Sequence, residues 1–243
     1  MLINKHFYAD ILMKKHFFLI LLIGLYGFTW PFSILTTQKN TQDVGTDRWI
    51  KQQMTIMKSQ GVSIDNKVLH LSLTAYANAK KKGYSQNHLL TVIDYSKPSS
   101  QKRLWVLDLK NNKTLFHTWV SHGKNSGGLY STSFSNKNGS LKSSIGLFTT
   151  DYRPYVGSNG YSLRLNGLEY GINDKAYQRS IVIHGAPYVN GAAVKRYGQV
   201  GRSWGCPAVS TDVAKSLIDR IKSKTLVFAY YPDSNWLRRS RFL

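Results

Sequence analysis

The sequence has a single cysteine, Cys206, among 243 residues. No disulfide can form within the chain, so this residue is an inert buried thiol, an intermolecular bridge or a thiol kept for chemistry. The seven histidines, at positions 6, 16, 70, 88, 117, 122 and 184, show no tight metal-ligand spacing. We therefore predict neither a metal site nor any other cofactor.

Acidic residues are also scarce, with 12 Asp and Glu against 33 Lys and Arg, which gives a formal charge of +21. Such a surface attracts polyanions over long distances. No recognition-helix or zinc-finger pattern is present, which argues against a nucleic-acid partner. We expect the charge to hold a monomeric protein on an anionic wall polymer or membrane surface.

A short basic stretch, Met13 to His16, precedes the apolar run from Phe17 to Tyr26. This order is typical of a secretory signal. No small-x-small cleavage site is evident between Gly24 and Ser33, and residues 17–35 are long enough to span a bilayer. Residues 1–36 are therefore predicted to be a signal peptide or a membrane anchor, which implies export to the periplasm or cell envelope.

The rest of the chain is rich enough in apolar residues, at 42%, to fold around a core. Residues 37–89 are predicted to be helical, with helices over 47–58 and 63–82. Residues 90–235 are predicted to form a mostly β domain with a few flanking helices, one of them over 210–222 and capped by Ser210. Residues 236–243 are predicted to be a loose basic tail. There is no internal repeat.

Two short stretches of the β-rich region carry residues suited to chemistry. One is Ile183-His184-Gly185, and the other, Gly201 to Cys206, places the cysteine 22 residues after the histidine. Thiol catalysis requires a thiolate, a nearby imidazole and donors for an oxyanion. The strand predicted over 180–184 ends in the histidine, which places the imidazole at a sheet rim. Gly205 allows a sharp turn before the thiol.

These motifs resemble the L,D-transpeptidases that remodel bacterial peptidoglycan, a YkuD-like family, and in particular their murein L,D-transpeptidase subgroup. The family signature is a His-Gly at a strand end followed by Ser-x-Gly-Cys. Two further pieces match in order. The matching segments are His184-Gly185, Ser203-Trp204-Gly205-Cys206, Val120 to Lys124 and Ser144 to Phe148. The resemblance covers residues 90–231 and implies a β-sandwich or barrel-like fold.

The resemblance also implies roles for individual residues. Cys206 would attack the carbonyl of a stem tetrapeptide beside its diaminopimelate residue and expel the terminal D-Ala. His184 would act as base and then acid, with its ring oriented by the carbonyl of Gly185. The N–H groups of Gly205 and Cys206 would stabilise the oxyanion. An acceptor amine would then give a cross-link, and water would give carboxypeptidation.

The sequence departs from the family pattern around the cysteine. Trp204 stands where many members have His or Arg, and Pro207-Ala208 replaces the usual hydrophobic residue followed by Arg or Asn. Arg202 or Arg179 is a candidate to replace that lost side chain. The predicted substrate contacts are Ser203, Trp204, Arg202 and His122. A catalytically inactive wall-binding protein is the alternative to an enzyme.

Overall fold

The computed structural model describes residues 44–243. The predicted signal peptide or anchor, residues 1–36, and the first residues of the predicted helical region lie outside the described residues. Within 44–243, no helix is both long enough and apolar enough to cross a membrane.

Two helices come first, the first packing on the second and the second packing on the strands. Helix α1 spans Asp47–Ser59 and helix α2 spans Asn66–Lys81. The Asp65 carboxylate begins α2 by accepting from backbone N–H groups of its first turn. Trp49 stacks on Tyr76, with ring centroids 6.0 Å apart, which joins α1 to α2. Apolar residues of both helices share one core with the strands, so the helical region belongs to the same compact body as the sheet.

Nine strands follow in the described part of the chain. They are β1 (Leu89–Asp94), β2 (Leu104–Asp108), β3 (Lys113–Thr118), β4 (Gly146–Thr150), β5 (Tyr155–Gly157), β6 (Gly160–Gly167), β7 (Val182–Ala186), β8 (Ala208–Ser210) and β9 (Leu226–Tyr230). Strands β1, β2, β4 and β9 are buried along their whole length. Burial on both faces explains why these segments read as nearly continuous apolar runs.

The strand order is β3-β2-β1-β9-β4-β6-β7-β8, and β5 pairs with β6. The pairs β1–β9 and β7–β8 are parallel. Val120, just after β3, bridges Val209 of β8. This bridge brings the two ends of the sheet together into a nearly closed, barrel-like structure. The predicted fold class, mostly β with a few helices, is confirmed.

Three further helices lie outside the sheet: α3 (Gly191–Tyr197), α4 (Thr211–Ile221) and α5 (Ser234–Arg239). Helix α4 packs on β7. A Cβ on Gly185 would lie 2.8 Å from the Cβ of Ala214, so the absence of a side chain in β7 permits this close packing. Ser210 is the residue before α4, but its hydroxyl contacts the Asp212 carboxylate and makes no capping bond to the backbone.

Two of the predictions for the described residues are wrong, one on the C-terminal segment and one on the start of β7. The segment 236–243 is not loose, because Trp236 and Phe242 are fully buried. The basic residues of this segment predicted a loose tail, but its two aromatic residues anchor it in the core. The strand predicted over 180–184 begins only at Val182, since Ser180 has a left-handed backbone with φ of 53°. His184 therefore lies in the middle of β7.

Candidate active site

The turn that carries the cysteine is held by the hydroxyl of Ser203. This Oγ donates to the carbonyl oxygen of Cys206 at 2.6 Å and accepts from the N–H of Gly205 at 3.1 Å. Gly205 has φ of 125°, and a Cβ there would approach the carbonyl oxygen of Lys142 to 2.9 Å. Glycine alone fits this turn without strain. The buried Ser203 shapes the turn, and the predicted substrate contact of its side chain is not supported.

The same hydrogen bonds determine which backbone donors remain available for an oxyanion. The N–H of Gly205 is already bonded to Ser203, so in this conformation it is not the free donor that was predicted. Pro207 has no N–H. Within residues 44–243, no acceptor is found for the N–H of Cys206. The N–H of Trp204 likewise has no acceptor among these residues. These two groups remain free on the turn, and the N–H of Cys206 belongs to the residue that carries the thiol.

The thiol of Cys206 is nearly buried, with 9% of the residue exposed. Its Sγ donates a weak hydrogen bond to the carbonyl oxygen of Ser180 at 3.7 Å. Burial raises the pKa of the thiol, while the backbone N–H of Val182 and the positive charge of Arg179 act in the opposite direction. The bonded partner of the thiol is thus a carbonyl, and no hydrogen bond joins it to the imidazole of His184.

His184 is oriented by its own neighbour in β7. Its Nδ1 lies 2.9 Å from the carbonyl oxygen of Gly185, so Nδ1–H donates and Nε2 remains available to accept a proton. Burial lowers the pKa of the ring, which favours the neutral form that a general base needs. The parallel pairing places His184 opposite Ala208, two residues after Cys206. Two residues correspond to about 7 Å along a strand.

His122 is fully buried, so it does not line an open cleft and its predicted substrate contact is not supported. Its Nδ1 lies 2.8 Å from Nη2 of Arg103, and its Nε2 lies 3.4 Å from the carbonyl oxygen of Gly127. Burial and the adjacent guanidinium lower the pKa of His122 to about 4. Its backbone carbonyl oxygen accepts from the N–H of Ser203 at 2.9 Å, which joins the backbone of His122 to the cysteine turn.

Arg103, which the sequence did not single out, is a fully buried cation near this turn. It donates to the carbonyl oxygens of Val120 and Lys97 and lies over the ring of Tyr95, with its Cζ 5.2 Å from the centroid. Burial lowers its pKa to about 10. No sequence signal marks it, because it simply precedes an apolar strand.

Arg179 lies in the turn before β7 and directly precedes Ser180, whose carbonyl oxygen accepts from the thiol of Cys206. Its two terminal nitrogens donate to four oxygens of the segment 135–144. These are the carbonyl oxygens of Ser135 and Lys142 and the hydroxyls of Ser140 and Ser144. Arg179 and Cys206 interact electrostatically. Of the two arginines named from the sequence, Arg179 is therefore the one that the fold places next to the nucleophile candidate.

Trp204 and Arg202 lie on the outer side of the turn and are exposed. Trp204 is 75% exposed, and the Lys124 ammonium lies 5.8 Å from its ring centroid. Arg202 donates to the carbonyl oxygen of Gly127 at 3.1 Å. Both side chains are open to a bound molecule, and their predicted substrate contacts stay predictions.

A surface cavity of about 320 Å³ adjoins this region. It is lined by Tyr188, Tyr197, Arg196 and Gly201, among others. All of its lining residues come from the part of the chain between His184 and Cys206. In residues 44–243 no three His, Cys, Asp or Glu side chains form a group that could hold a metal ion.

A barrel-like sheet that carries a thiol, an oriented imidazole and a free backbone N–H holds the kinds of group that acyl transfer by a cysteine requires. The family model of the L,D-transpeptidase catalytic domain matches residues 60–230. The chain belongs to this family. No curated protein sequence matches it.

Solved structures with a similar chain path are also L,D-transpeptidases. The enzyme from Mycobacterium smegmatis has 15% identity and a TM-score of 0.36, with 59% of each chain covered. L,D-transpeptidase 1 of Mycobacterium tuberculosis has 16% identity and a TM-score of 0.35, with 60% of this chain and 62% of that chain covered. A protein from Stackebrandtia nassauensis has 14% identity and a TM-score of 0.36, with 76% and 77% covered. The match thus spans about three fifths of the two mycobacterial proteins.

Proposed function

We propose that this protein is a cysteine-dependent L,D-transpeptidase that cross-links peptidoglycan stem tetrapeptides through a thioester on Cys206. Membership of the family supports the reaction type. The observation that carries the assignment of residues is the hydrogen bond from Nδ1 of His184 to the carbonyl oxygen of Gly185. It leaves Nε2 as a proton acceptor on the strand that pairs with the segment following the cysteine.

In the proposed first step, Nε2 of His184 takes the proton of the Cys206 thiol. The sulfur then bonds to the peptide carbonyl beside diaminopimelate, and the N–H of Cys206 donates to the resulting oxyanion. When the C–N bond breaks, the imidazolium returns its proton to the leaving amine of D-Ala. The amine of a second stem peptide then attacks the thioester and loses a proton to His184. The C–S bond breaks, and the imidazolium returns the proton to the sulfur, which regenerates the thiol.

This sequence requires the thiol to change partner. In the described conformation the thiol donates to the carbonyl oxygen of Ser180, so this hydrogen bond has to break before the proton is transferred. A weak hydrogen bond from sulfur is readily broken, so its loss is a small cost compared with a catalytic barrier.

We further propose that the protein works in the cell envelope. The basic and apolar segment within residues 1–36 would direct export or anchor the chain, and the charge of +21 would favour anionic wall polymer or membrane. Wall binding of this kind weakens steeply with salt.

Two other functions use the same family fold. Hydrolysis of the thioester by water would make the protein an L,D-carboxypeptidase. A catalytically inactive wall-binding protein is favoured by the nearly buried thiol and by the Gly205 N–H that is already bonded.

The test is to incubate the purified full-length chain with tetrapeptide-bearing muropeptides and to analyse the products by mass spectrometry. Dimers together with free D-Ala support transfer, whereas tripeptides alone support hydrolysis. The Cys206→Ser variant is the matched control, since it keeps the size of the side chain. The proposal fails if the wild type yields neither product or if the variant retains full activity.

A further inference from the structure

We propose that Arg179 is a positioning residue for the reaction, holding the thiolate of Cys206 and the segment 135–144 in place with one guanidinium. This inference rests on the proposed function, because it assigns a role at the same site. The standard pattern of an imidazole beside a sulfur does not require this residue.

The placement of Arg179 follows from the backbone around it. Ser180, the next residue, has a left-handed backbone with φ of 53° and supplies the carbonyl oxygen that accepts from Sγ of Cys206. The side chain of Arg179 and the carbonyl group of Ser180 therefore belong to one tight turn, and this carbonyl group contacts the thiol. A non-glycine residue with this backbone conformation costs about 1 kcal/mol or more.

The hydrogen bonds of Arg179 leave its charge uncompensated. All four of its acceptors are neutral, being two carbonyl oxygens and two hydroxyls of the segment 135–144. None of the ion pairs within residues 44–243 includes it. A cation that is fixed in place but not neutralised favours an anion beside it. The anion that the proposed mechanism forms here is the Cys206 thiolate.

The other ionisable groups around the thiol do not provide this charge. Tyr95 and Tyr188 interact with Cys206, but a phenol is neutral near pH 7 and a phenolate would oppose a thiolate. Burial lowers the pKa of His184, so this ring becomes a cation only when it has taken the proton of the thiol. The ammonium of Lys142 is directed to the hydroxyl of Ser133, at 2.7 Å. Arg179 thus differs from these rings in carrying its charge before the proton moves.

The same guanidinium also holds the segment 135–144, which contacts the turn that carries the thiol. The carbonyl oxygen of Lys142, which accepts from Arg179 at 2.7 Å, is the atom that a Cβ on Gly205 would meet. The segment 135–144 therefore packs directly on the cysteine turn. Loss of the hydrogen bonds from Arg179 to this segment would loosen the turn that orients the N–H of Cys206.

The experiment measures the rate of Cys206 alkylation by iodoacetamide against pH, which follows the thiolate even where there is no turnover. Cys206 is the chain's only thiol. The midpoint is the pH at which this rate reaches half of its maximum. We expect Arg179→Gln, which keeps amide donors and removes the charge, to raise the midpoint by about 1 pH unit. Arg179→Lys should keep the midpoint near that of the wild type. Ser144→Ala removes an acceptor of the guanidinium and keeps the charge, so it should leave the midpoint unchanged.

If Arg179→Gln does not fold, Ser140→Asp compared with Ser140→Asn tests the same idea. The aspartate places a carboxylate against the guanidinium, and we expect the midpoint to rise only in that variant. An unchanged midpoint in folded Arg179→Gln, or equal midpoints in the two Ser140 variants, overturns the inference. A raised midpoint in Arg179→Gln together with a wild type that forms no cross-links would support the inference and count against the proposed function.

Discussion

The hydroxyl of Ser203 donates to the carbonyl oxygen of Cys206 at 2.6 Å. In the Ser-x-Gly-Cys pattern the serine was expected to meet a substrate. Its observed role is to close the turn on which the thiol is carried, with the N–H of Gly205 as its second partner. The spacing of the motif therefore serves a local fold first, and the chemistry depends on that fold.

Removing this hydroxyl should damage both stability and reactivity. Ser203→Ala leaves a buried carbonyl and a buried N–H without their partner, at a cost of about 1–3 kcal/mol in the free energy of unfolding. It also frees the N–H of Gly205. Denaturant unfolding and the alkylation rate of Cys206 measure the two effects. Ser72→Ala, which removes a buried hydroxyl of α2 bonded to a carbonyl, is the control. It should leave the alkylation rate unchanged.

Gly205→Ala should be more harmful than an alanine at another left-handed glycine. Its φ of 125° is unfavourable for any side chain, and the added Cβ would clash with the Lys142 carbonyl oxygen at 2.9 Å. We expect a loss of at least about 3 kcal/mol together with loss of thiol reactivity. Gly139→Ala is the matched control, because Gly139 has φ of 67° but open space around it. It should cost about 1 kcal/mol. Equal melting temperatures for the two variants would contradict this account.

The C-terminal segment should contribute to the stability of the barrel. Trp236 is fully buried, and its Nε1 donates to both carboxylate oxygens of Glu169 at 3.1 Å. Trp236→Ala should lower the free energy of unfolding by about 3–5 kcal/mol, and Trp236→Phe by about 1–3 kcal/mol through loss of the indole donor. The exposed Arg238 supplies the control, since Arg238→Ala should have little effect. If Trp236→Ala and Trp236→Phe unfold at the same denaturant concentration as the wild type and Arg238→Ala, the segment does not stabilise the barrel.

Protonation of His122 should weaken the fold in mild acid. Its pKa is lowered to about 4 in the folded protein, against an ordinary value of about 6.5. The unfolded chain therefore binds more protons between these values. The contribution of the neutral ring is fully present above pH 6.5 and is lost as the pH falls towards 4. The total loss is on the order of 3 kcal/mol.

His184 and His117 also have lowered pKa values, so the measurement has to compare variants. His122→Gln keeps a donor and an acceptor but does not titrate in this range. The stability difference between wild type and this variant should shrink from pH 7 to pH 4.5, as followed by urea unfolding. A difference that is constant with pH would show that the ring is not held neutral.

The sequence by itself determined most of the regular structure and the pair at the centre of the site. Buried strands such as β1 and β9 are continuous apolar runs, and the pattern of polar and apolar residues is local information. Cys206 and His184 were also found locally, because a lone cysteine after a glycine and a histidine in a buried segment are visible in the chain.

The tertiary structure alone decided which groups surround the turn that carries the thiol. Arg103, Arg179 and the buried ring of His122 come from segments far from Cys206 in the chain. Their burial and pairing arise from the way the strands close into a barrel, which no short window of residues encodes. The same holds for the last residues of the chain. Their charge is written in the sequence, but the anchoring of Trp236 to Glu169 appears only when the barrel brings the two residues together.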